Sequence, residues 1–481
     1  MYKLYSDDIF KWSQEYNGSL FHACLCDPPY HLTSIVKRFG KADINDDTYT
    51  SDKVRRGADG YSRLIRGGFM GQVWDGGDVA FRPETWKAIG DCLLPGAYLL
   101  AFGGTRTWHR LAVAIEDAGF EIRDTVMYIY GSGFPKSHNV SKAIDREAGA
   151  KRTEIIGERH RNVKPYDDDN GWNSNNTTGD FEYTAPATEM AKTWDGYGSA
   201  LKPAYEPIIV ARKPLEGTIA QNCVQYGSGG LNIDECRVEG DAGNGVWGSS
   251  NKTCQNGRIF NQSPEGEEYR SEKHPLGRWP ANLITDGSDE VLEGFPQTGK
   301  SQGGRSGHDA AYQGGYKQEY YGDEHPGFGD SGSAARFFYT AKASKRERDL
   351  GCEEMEESEQ DHNRFDKCAK CGGTIFQNPD RPSACKCEEP ERIHAKSRNF
   401  HPTVKPLALT EYLARLILPP VEYAPRRLLV PFSGSGSEMI GAHKAGWEEI
   451  TGIELSEEYT NIAEARLKYW TNIPVQSRLD V

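Results

Sequence analysis

Leu428-Leu429-Val430-Pro431-Phe432-Ser433-Gly434-Ser435-Gly436-Ser437 is a short apolar run that turns into a glycine-rich corner, and helical spacing follows over Glu438–Ala445. A run this short, stopped by turn residues, reads as a buried strand. The glycines let the backbone turn tightly and approach a ligand at the carboxyl end of a sheet strand. About twenty residues further on, Thr451-Gly452-Ile453-Glu454 reads as a strand ending in an acid, and a carboxylate there can accept both hydroxyl hydrogens of a ribose. Alone, a Gly-x-Gly turn is an ordinary strand–helix connection. Together with Glu454 it suggests a nucleoside-containing cofactor.

Working outward, the same alternation appears at the other end of the chain. Phe21–Cys26 reads as a buried strand, Pro83–Leu93 has helical spacing, and Ala97–Phe102 is a strand ending at Gly103-Gly104. Trp108–Ala118 is an amphipathic helix with Gly119 as its C-cap, and Ile122–Tyr130 is a strand. This predicts an α/β fold, a Rossmann-like doubly wound sheet of mostly parallel strands. From about 145 to 335 the composition shifts to Gly, Asn, Ser and Asp, with islands such as Glu206–Ala211, and Arg336–Thr340 looks like a strand returning to the body. The pattern resumes with a helix over Pro406–Leu418 and the strand Arg427–Val430. The expected organisation is a catalytic half at 1–145, a large loop-rich insertion at 146–345, a small cysteine-bearing segment at 346–395 and a cofactor-binding half at 396–481.

The sharpest local signal is Asp27-Pro28-Pro29-Tyr30, directly after the strand Phe21–Cys26. Two consecutive prolines fix φ twice and remove two backbone donors. What remains is a rigid, acceptor-rich corner made of the Asp27 carboxylate and the Pro28 carbonyl, with the flat face of Tyr30 beside it. Such a corner suits a planar group carrying an NH2, which offers two hydrogens. The plain alternative is a Pro-Pro turn with a surface tyrosine.

At 481 residues the chain is too long for one compact core, and 37% hydrophobic residues with 53 glycines imply a sound core alongside long polar stretches. No apolar run of about 18 residues predicts a membrane span, and Met1–Trp12 has no signal-peptide core, so a soluble cytoplasmic protein with no membrane partner is expected. The net charge of −13 argues weakly against a nucleic-acid partner, although a basic face can sit on an acidic protein.

There are 11 cysteines, and one cluster has spacing with meaning. Cys368, Cys371, Cys385 and Cys387 form a C-x2-C-x13-C-x-C pattern in which the first pair precedes two glycines. Four thiolates suit a closed tetrahedral structural zinc, which would brace a segment too poor in apolar residues to fold alone. Free thiols in a loop are the alternative, and the single spacer of the second pair departs from the usual knuckle.

Three motifs taken together resemble a known family. Asp27-Pro28-Pro29-Tyr30, His401-Pro402-Thr403-Val404-Lys405-Pro406 and Pro431-Phe432-Ser433-Gly434-Ser435-Gly436, in that order, are similar to the β-group DNA amino-methyltransferases. Tyr130-Gly131-Ser132-Gly133-Phe134-Pro135-Lys136-Ser137 resembles a subset common in phages and prophages. The match covers about 1–145, parts of 200–345, and 396–481. The resemblance implies S-adenosylmethionine as methyl donor and double-stranded DNA as partner, in a monomer or homodimer. It implies Asp7 near the cofactor's adenine, and Pro431, Phe432, Ser433, Gly434 and Gly436 lining the cofactor. Glu454 would sit on its ribose, and His401, Thr403 and Lys405 at its methionine end. Where the family often has Asp before Pro-Phe, this chain has Val430. Glu438 is a candidate replacement, or simply a first-turn helix acid.

The implied chemistry is methylation of a flipped-out base at an exocyclic amine, with adenine N6 expected and Asp27, Pro28, Pro29 and Tyr30 as catalytic residues. Cytosine N4 is the alternative, since it needs the same geometry, although related cytosine enzymes more often carry Ser in place of Asp27. Methylation of RNA or of protein glutamine fits less well, because those enzymes commonly show Asn-Pro-Pro-Tyr after the cofactor loop. A catalytically inactive DNA-binding module is the alternative of another class. The insertion 146–345, with recurring basic residues such as Lys151 and Arg152, is the expected target-recognition region. Trp74, Asp75, Arg106 and Lys136 are further candidates for the base pocket or for phosphate contact.

Overall fold

The computed structural model describes residues 1–30, 78–133, 137–159, 181–240, 253–255, 258–260, 276–299, 331–342, 344, 346–355, 365–368, 370, 374–376, 387, 392–393, 398–399, 401 and 403–472. Its body is a nine-stranded sheet. In chain order the strands are β1 (Tyr2–Ser6), β2 (Phe21–Cys26), β3 (Leu93–Phe102), β4 (Glu121–Ile129), β5 (Tyr205–Arg212), β6 (Leu283–Thr285), β7 (Tyr339–Thr340), β8 (Arg427–Pro431) and β9 (Glu449–Glu454). They lie side by side as β1-β9-β8-β2-β3-β5-β4-β6-β7. All neighbours are parallel except β5, which runs antiparallel to both β3 and β4.

Helices cover both faces, and the strand alternation sorts side chains between them. On one face Cys24, Cys26, Leu99, Ala101, Leu429 and Ile453 pack against α1 (Ile9–Glu15), α2 (Pro83–Asp91) and α3 (Trp108–Asp117), with Trp86 and Ile89 fully enclosed. On the other face Ala23, Leu25, Leu100, Leu428 and Val430 meet α4 (Leu407–Leu416), α5 (Ser437–Ala445) and α6 (Glu457–Asn472). Each fully buried Leu or Ile contributes about 1.5–3 kcal/mol. The doubly wound α/β sheet expected from the sequence is therefore present, and both chain ends build it.

Two differences from expectation have physical causes. The island at Glu206–Ala211 is a full central strand, β5, and the stretch 146–345 also supplies β6 and β7 to the sheet. Ile208–Ala211 are buried because β5 sits between β3 and β4. Arg336–Thr340 is not one strand. Ala334–Phe337 forms a 3₁₀ turn, and only Tyr339–Thr340 pairs with the sheet. The Arg336 guanidinium donates to the carbonyls of Gly332 (2.8 Å) and Ser333 (2.9 Å), which curls the chain back on itself.

In the cysteine-bearing segment, Phe365–Cys368 is the central strand of a small antiparallel sheet between Thr374–Phe376 and Arg392–Ile393. Cys371, Cys385 and the Cys368 side chain lie outside the described residues, and Cys387 is half-buried. Among the described residues, no group of three or more His, Cys, Asp or Glu could hold a metal ion, and no helix is long and apolar enough to cross a membrane.

Candidate active site

Consecutive strands run outward in opposite directions from β8 and β2: β9 lies on the far side of β8, and β3 on the far side of β2. A crevice at the carboxyl ends of such a pair is where open α/β sheets bind ligands. The register pairs Leu428 with Ala23 and Leu429 with Cys24, so the two strands end together. Asp27 leaves β2 and Phe432 leaves β8 as neighbours on one edge of the sheet. The two motifs that the sequence separates by some four hundred positions are brought to one place.

The turn after β8 is built in left-handed backbone. Phe432 has φ +58°, Gly434 +51° and Gly436 +79°. For a non-glycine residue such as Phe432 this conformation is strained, a feature that clusters at ligand sites. A Cβ on Gly434 would stand 2.8 Å from His401 Nε2, so only glycine fits between the loop and that ring. Ser433 donates its N–H to Ile453 O at 3.0 Å, and Gly434 donates its N–H to Glu454 Oε2 at 2.8 Å. Glu454 Oε1 accepts from Ser456 N at 2.9 Å. The Glu454 carboxylate is buried, also takes the Leu455 N–H, and retains room for a further donor. Arg466 of α6 braces the loop from behind, donating to Ser435 O (2.6 Å), Ser435 Oγ (3.0 Å) and Ser437 Oγ (3.1 Å). Burial pushes its guanidinium down to about 10.

Asp27 enters a buried charged network. Lys405 Nζ lies 3.0 Å from Asp27 Oδ2 and 2.8 Å from Glu206 Oε1, with side-chain exposures of 7% for the lysine, 13% for Asp27 and 19% for Glu206. Tyr30 Oη lies 2.7 Å from Asp27 Oδ1 and 2.6 Å from Glu206 Oε1, and accepts from Lys405 at 3.0 Å. Burial raises the Asp27 carboxyl above the usual carboxylate range, Lys405 opposes this, and Glu206 adds to it. For Lys405 burial works against the charge, but Asp27 and Glu206 outweigh it and hold the ammonium protonated. Thr107 donates to Tyr30 O at 3.0 Å and fixes the corner from α3's N-terminal side.

Two buried polar atoms here lack a protein partner among the described residues: Glu438 Oε1 and Ser433 Oγ. Glu438 opens α5, is 3% exposed, and is pushed up to about 8 by burial, with the Asp27 charge adding to the shift. Unpaired buried acceptors in a glycine-lined crevice call for a ligand that brings donors. A nucleoside-bearing cation such as S-adenosylmethionine fits that donor set. Val430, by contrast, is fully buried in the sheet core, so no acid is available at its position.

The remaining candidates sort clearly. Asp7 follows β1 beside Glu454, its N–H bonded to Glu454 O at 2.9 Å, and its carboxylate is engaged by Lys11 at 3.0 Å. The lysine hydrogen bond lowers its pKa. His401 is buried with Nδ1 2.9 Å from Thr403 O and its ring edge-on to Tyr459. Burial pushes its imidazole down to about 3, so the ring is neutral. Thr403 is exposed, and so is Arg106. Pro402, Trp74, Asp75 and Lys136 lie outside the described residues. Glu206 and Arg466 escape sequence reasoning. A separate cavity of about 710 Å³, lined by His22, Tyr98, Trp279, Arg415 and Tyr423 among others, touches none of the site residues.

No protein-family model matches the chain, and no curated protein matches it either. Among solved structures the chain is similar to the M1.HpyAVI–SAM complex, at 11% identity over 97% of this chain and 99% of that one, with a TM-score of 0.34. It is similar to TTHA0409, a putative DNA modification methylase from Thermus thermophilus complexed with S-adenosyl-L-methionine, at 11% identity over 98% and 96%, with a TM-score of 0.32. It is also similar to the PvuII DNA methyltransferase, described as cytosine-N4-specific, at 9% identity over 100% and 90%, with a TM-score of 0.36. At such scores these are likenesses only, and the functional conclusion rests on the chain's own residues.

Proposed function

We propose that this chain is an S-adenosylmethionine-dependent DNA methyltransferase acting on an exocyclic base amine, with adenine N6 as its target. The observation that carries this is the adjacency of the Asp27 corner and the Phe432–Gly436 turn at the switch between β2 and β8. Bound at the turn, the cofactor would supply an electrophilic methyl group on a sulfonium. Glu454 and the loop's backbone would hold its nucleoside, while Glu438 and Ser433 offer unpaired acceptors and His401 packs behind the glycines.

The chain's own residues would do positional and electrostatic work. An exocyclic amine is a poor nucleophile because its lone pair is delocalised into the ring. The Asp27 carboxylate and the Pro28 carbonyl would each accept one N–H, favouring a pyramidal nitrogen with its lone pair directed at the methyl. Pro29 keeps the corner rigid, and Tyr30 supplies a stacking face for the flipped base worth about 1–3 kcal/mol. Lys405 offsets one of the two carboxylate charges buried in the crevice.

The parts of 146–345 outside the sheet are proposed to read the target sequence. In support, Ile155, Ile156, Tyr183, Met190, Trp194 and Tyr197 are large apolar side chains left exposed there. Cys368, Cys371, Cys385 and Cys387 are proposed to hold a structural zinc, and metal analysis of the purified protein should find about one equivalent. The test of the main proposal is transfer of a radiolabelled methyl group to double-stranded DNA, followed by digestion to nucleosides. N6-methyladenine is the expected product. N4-methylcytosine would move the target base without moving the site, and no methylated DNA would refute the proposal.

A further inference from the structure

The hydrogen bonds around Tyr30 do not close if every group carries its ordinary charge. Five polar contacts join Tyr30, Lys405, Asp27 and Glu206: Tyr30 Oη to Asp27 Oδ1 (2.7 Å) and to Glu206 Oε1 (2.6 Å), and Lys405 Nζ to Tyr30 Oη (3.0 Å), Asp27 Oδ2 (3.0 Å) and Glu206 Oε1 (2.8 Å). An ammonium has three hydrogens and a phenol has one. Four hydrogens cannot fill five contacts. The three ammonium hydrogens are used on its three neighbours. The single phenol hydrogen must then serve two carboxylate oxygens, and the contact left over sets two bare oxygens at hydrogen-bond distance in a buried site.

A fifth hydrogen resolves this, and it can only sit on a carboxyl group. We propose that Asp27 and Glu206 hold one proton between them through Tyr30, which makes Glu206 the positioning residue that leaves Asp27 ionised to accept the hydrogens of the substrate amine. With the proton on Glu206, that group donates to Tyr30 Oη and Tyr30 donates to Asp27. With the proton on Asp27, both bonds reverse and every distance stays the same. The cluster of Lys405, one carboxylate and one carboxylic acid is then neutral, which is the cheaper state for a buried site. This rests on the methyl-transfer proposal and adds a group from the antiparallel strand β5 that no motif names.

The other ionisable groups facing the pair are Cys26 of β2, whose thiol burial keeps neutral, Lys405 before α4, Glu438 at the start of α5, Tyr128 of β4 and Tyr130 just after it. The lysine stays charged and the tyrosines stay neutral below pH 8. Glu438 is itself protonated at acid pH, with its titration near 8. The acid limb of a pH–rate profile therefore reports the Asp27 carboxyl within this cluster.

The test is the pH profile of single-turnover methyl transfer by the full chain and by Glu206→Gln and Glu206→Ala. Glu206→Gln removes the competing charge beside Asp27, and its amide oxygen still accepts from Lys405 and Tyr30 at the Oε1 position while carrying no transferable proton. Its acid limb should move to lower pH by roughly one unit, and Glu206→Gln should keep transfer that Glu206→Ala loses. If Glu206→Gln does not fold, carboxyl infrared spectra carry the test: one protonated-carboxyl band of the unaltered chain should be lost in Glu206→Ala, and identical spectra overturn the shared proton. A rate lowered equally at every pH, or an unmoved acid limb, overturns the shared proton and leaves the methyl-transfer proposal standing. Absence of transfer by the unaltered chain overturns that proposal instead.

Discussion

Gly434 donates its backbone N–H to the Glu454 carboxylate at 2.8 Å, so the last residue of β9 fixes the shape of the turn that follows β8. The same carboxylate accepts Ser456 N–H at 2.9 Å. Glu454→Gln would replace a charged acceptor with an amide and turn one N–H against another donor. Bonds to a charged group contribute about 1.5–3 kcal/mol, so S-adenosylmethionine binding should weaken roughly ten-fold or more. Isothermal titration calorimetry measures this, and unchanged affinity would detach Glu454 from the cofactor site.

Gly434→Ala should damage both stability and binding. The substitution puts a side chain at φ +51° and a methyl 2.8 Å from His401 Nε2. The left-handed backbone alone costs about 1–2 kcal/mol, and His401 has to move as well. Urea denaturation should show a loss of roughly 2 kcal/mol, with cofactor affinity lowered in the same variant.

Glu438 gives the fold a pH dependence of known sign. Its folded pKa of about 8 stands above the ordinary carboxyl value of 4.5, because burial disfavours the charged form. The group's contribution to stability is full below the unfolded pKa, and it is lost as pH rises from there through about 8. Asp27 is shifted in the same direction and adds to the trend. The melting temperature of the cofactor-free chain should fall as pH rises from the unfolded carboxyl range through about 8, and Glu438→Gln should flatten that fall. Parallel curves for the two proteins would remove Glu438 as its source.

Arg466 is a structural brace. Its guanidinium spans Ser435 O, Ser435 Oγ and Ser437 Oγ, and also reaches Glu347 O at 3.2 Å. Lysine cannot reproduce this fork. Arg466→Lys should cost roughly 3 kcal/mol in denaturant unfolding, and it should loosen the turn enough to weaken cofactor binding.

The sheet and the two motifs of the site were legible because each rests on local chemistry. Apolar runs such as Phe21–Cys26 and Leu428–Val430 stop at prolines and glycines, which marks both the strand and its functional end. Glu206 was not legible, because an acid at the start of an apolar run reads as a solvated strand end. Only the antiparallel insertion of β5 between β3 and β4 brings it to Tyr30. Arg466 was hidden by its helix, whose charged composition suggests an exposed surface until the packing of α6 over the turn encloses it. The loss of an acid at Val430 was visible, whereas the burial and missing partner of Glu438 arise only where α5 packs into the crevice.

The most direct test of the joined site is Asp27→Asn assayed twice, for S-adenosylmethionine binding by calorimetry and for methyl transfer to double-stranded DNA. With the proposed roles, Asp27 on the substrate amine and the Phe432–Gly436 turn on the cofactor, binding should stay within about two-fold while transfer falls by about a thousand-fold. Transfer near that of the unaltered chain would contradict the account.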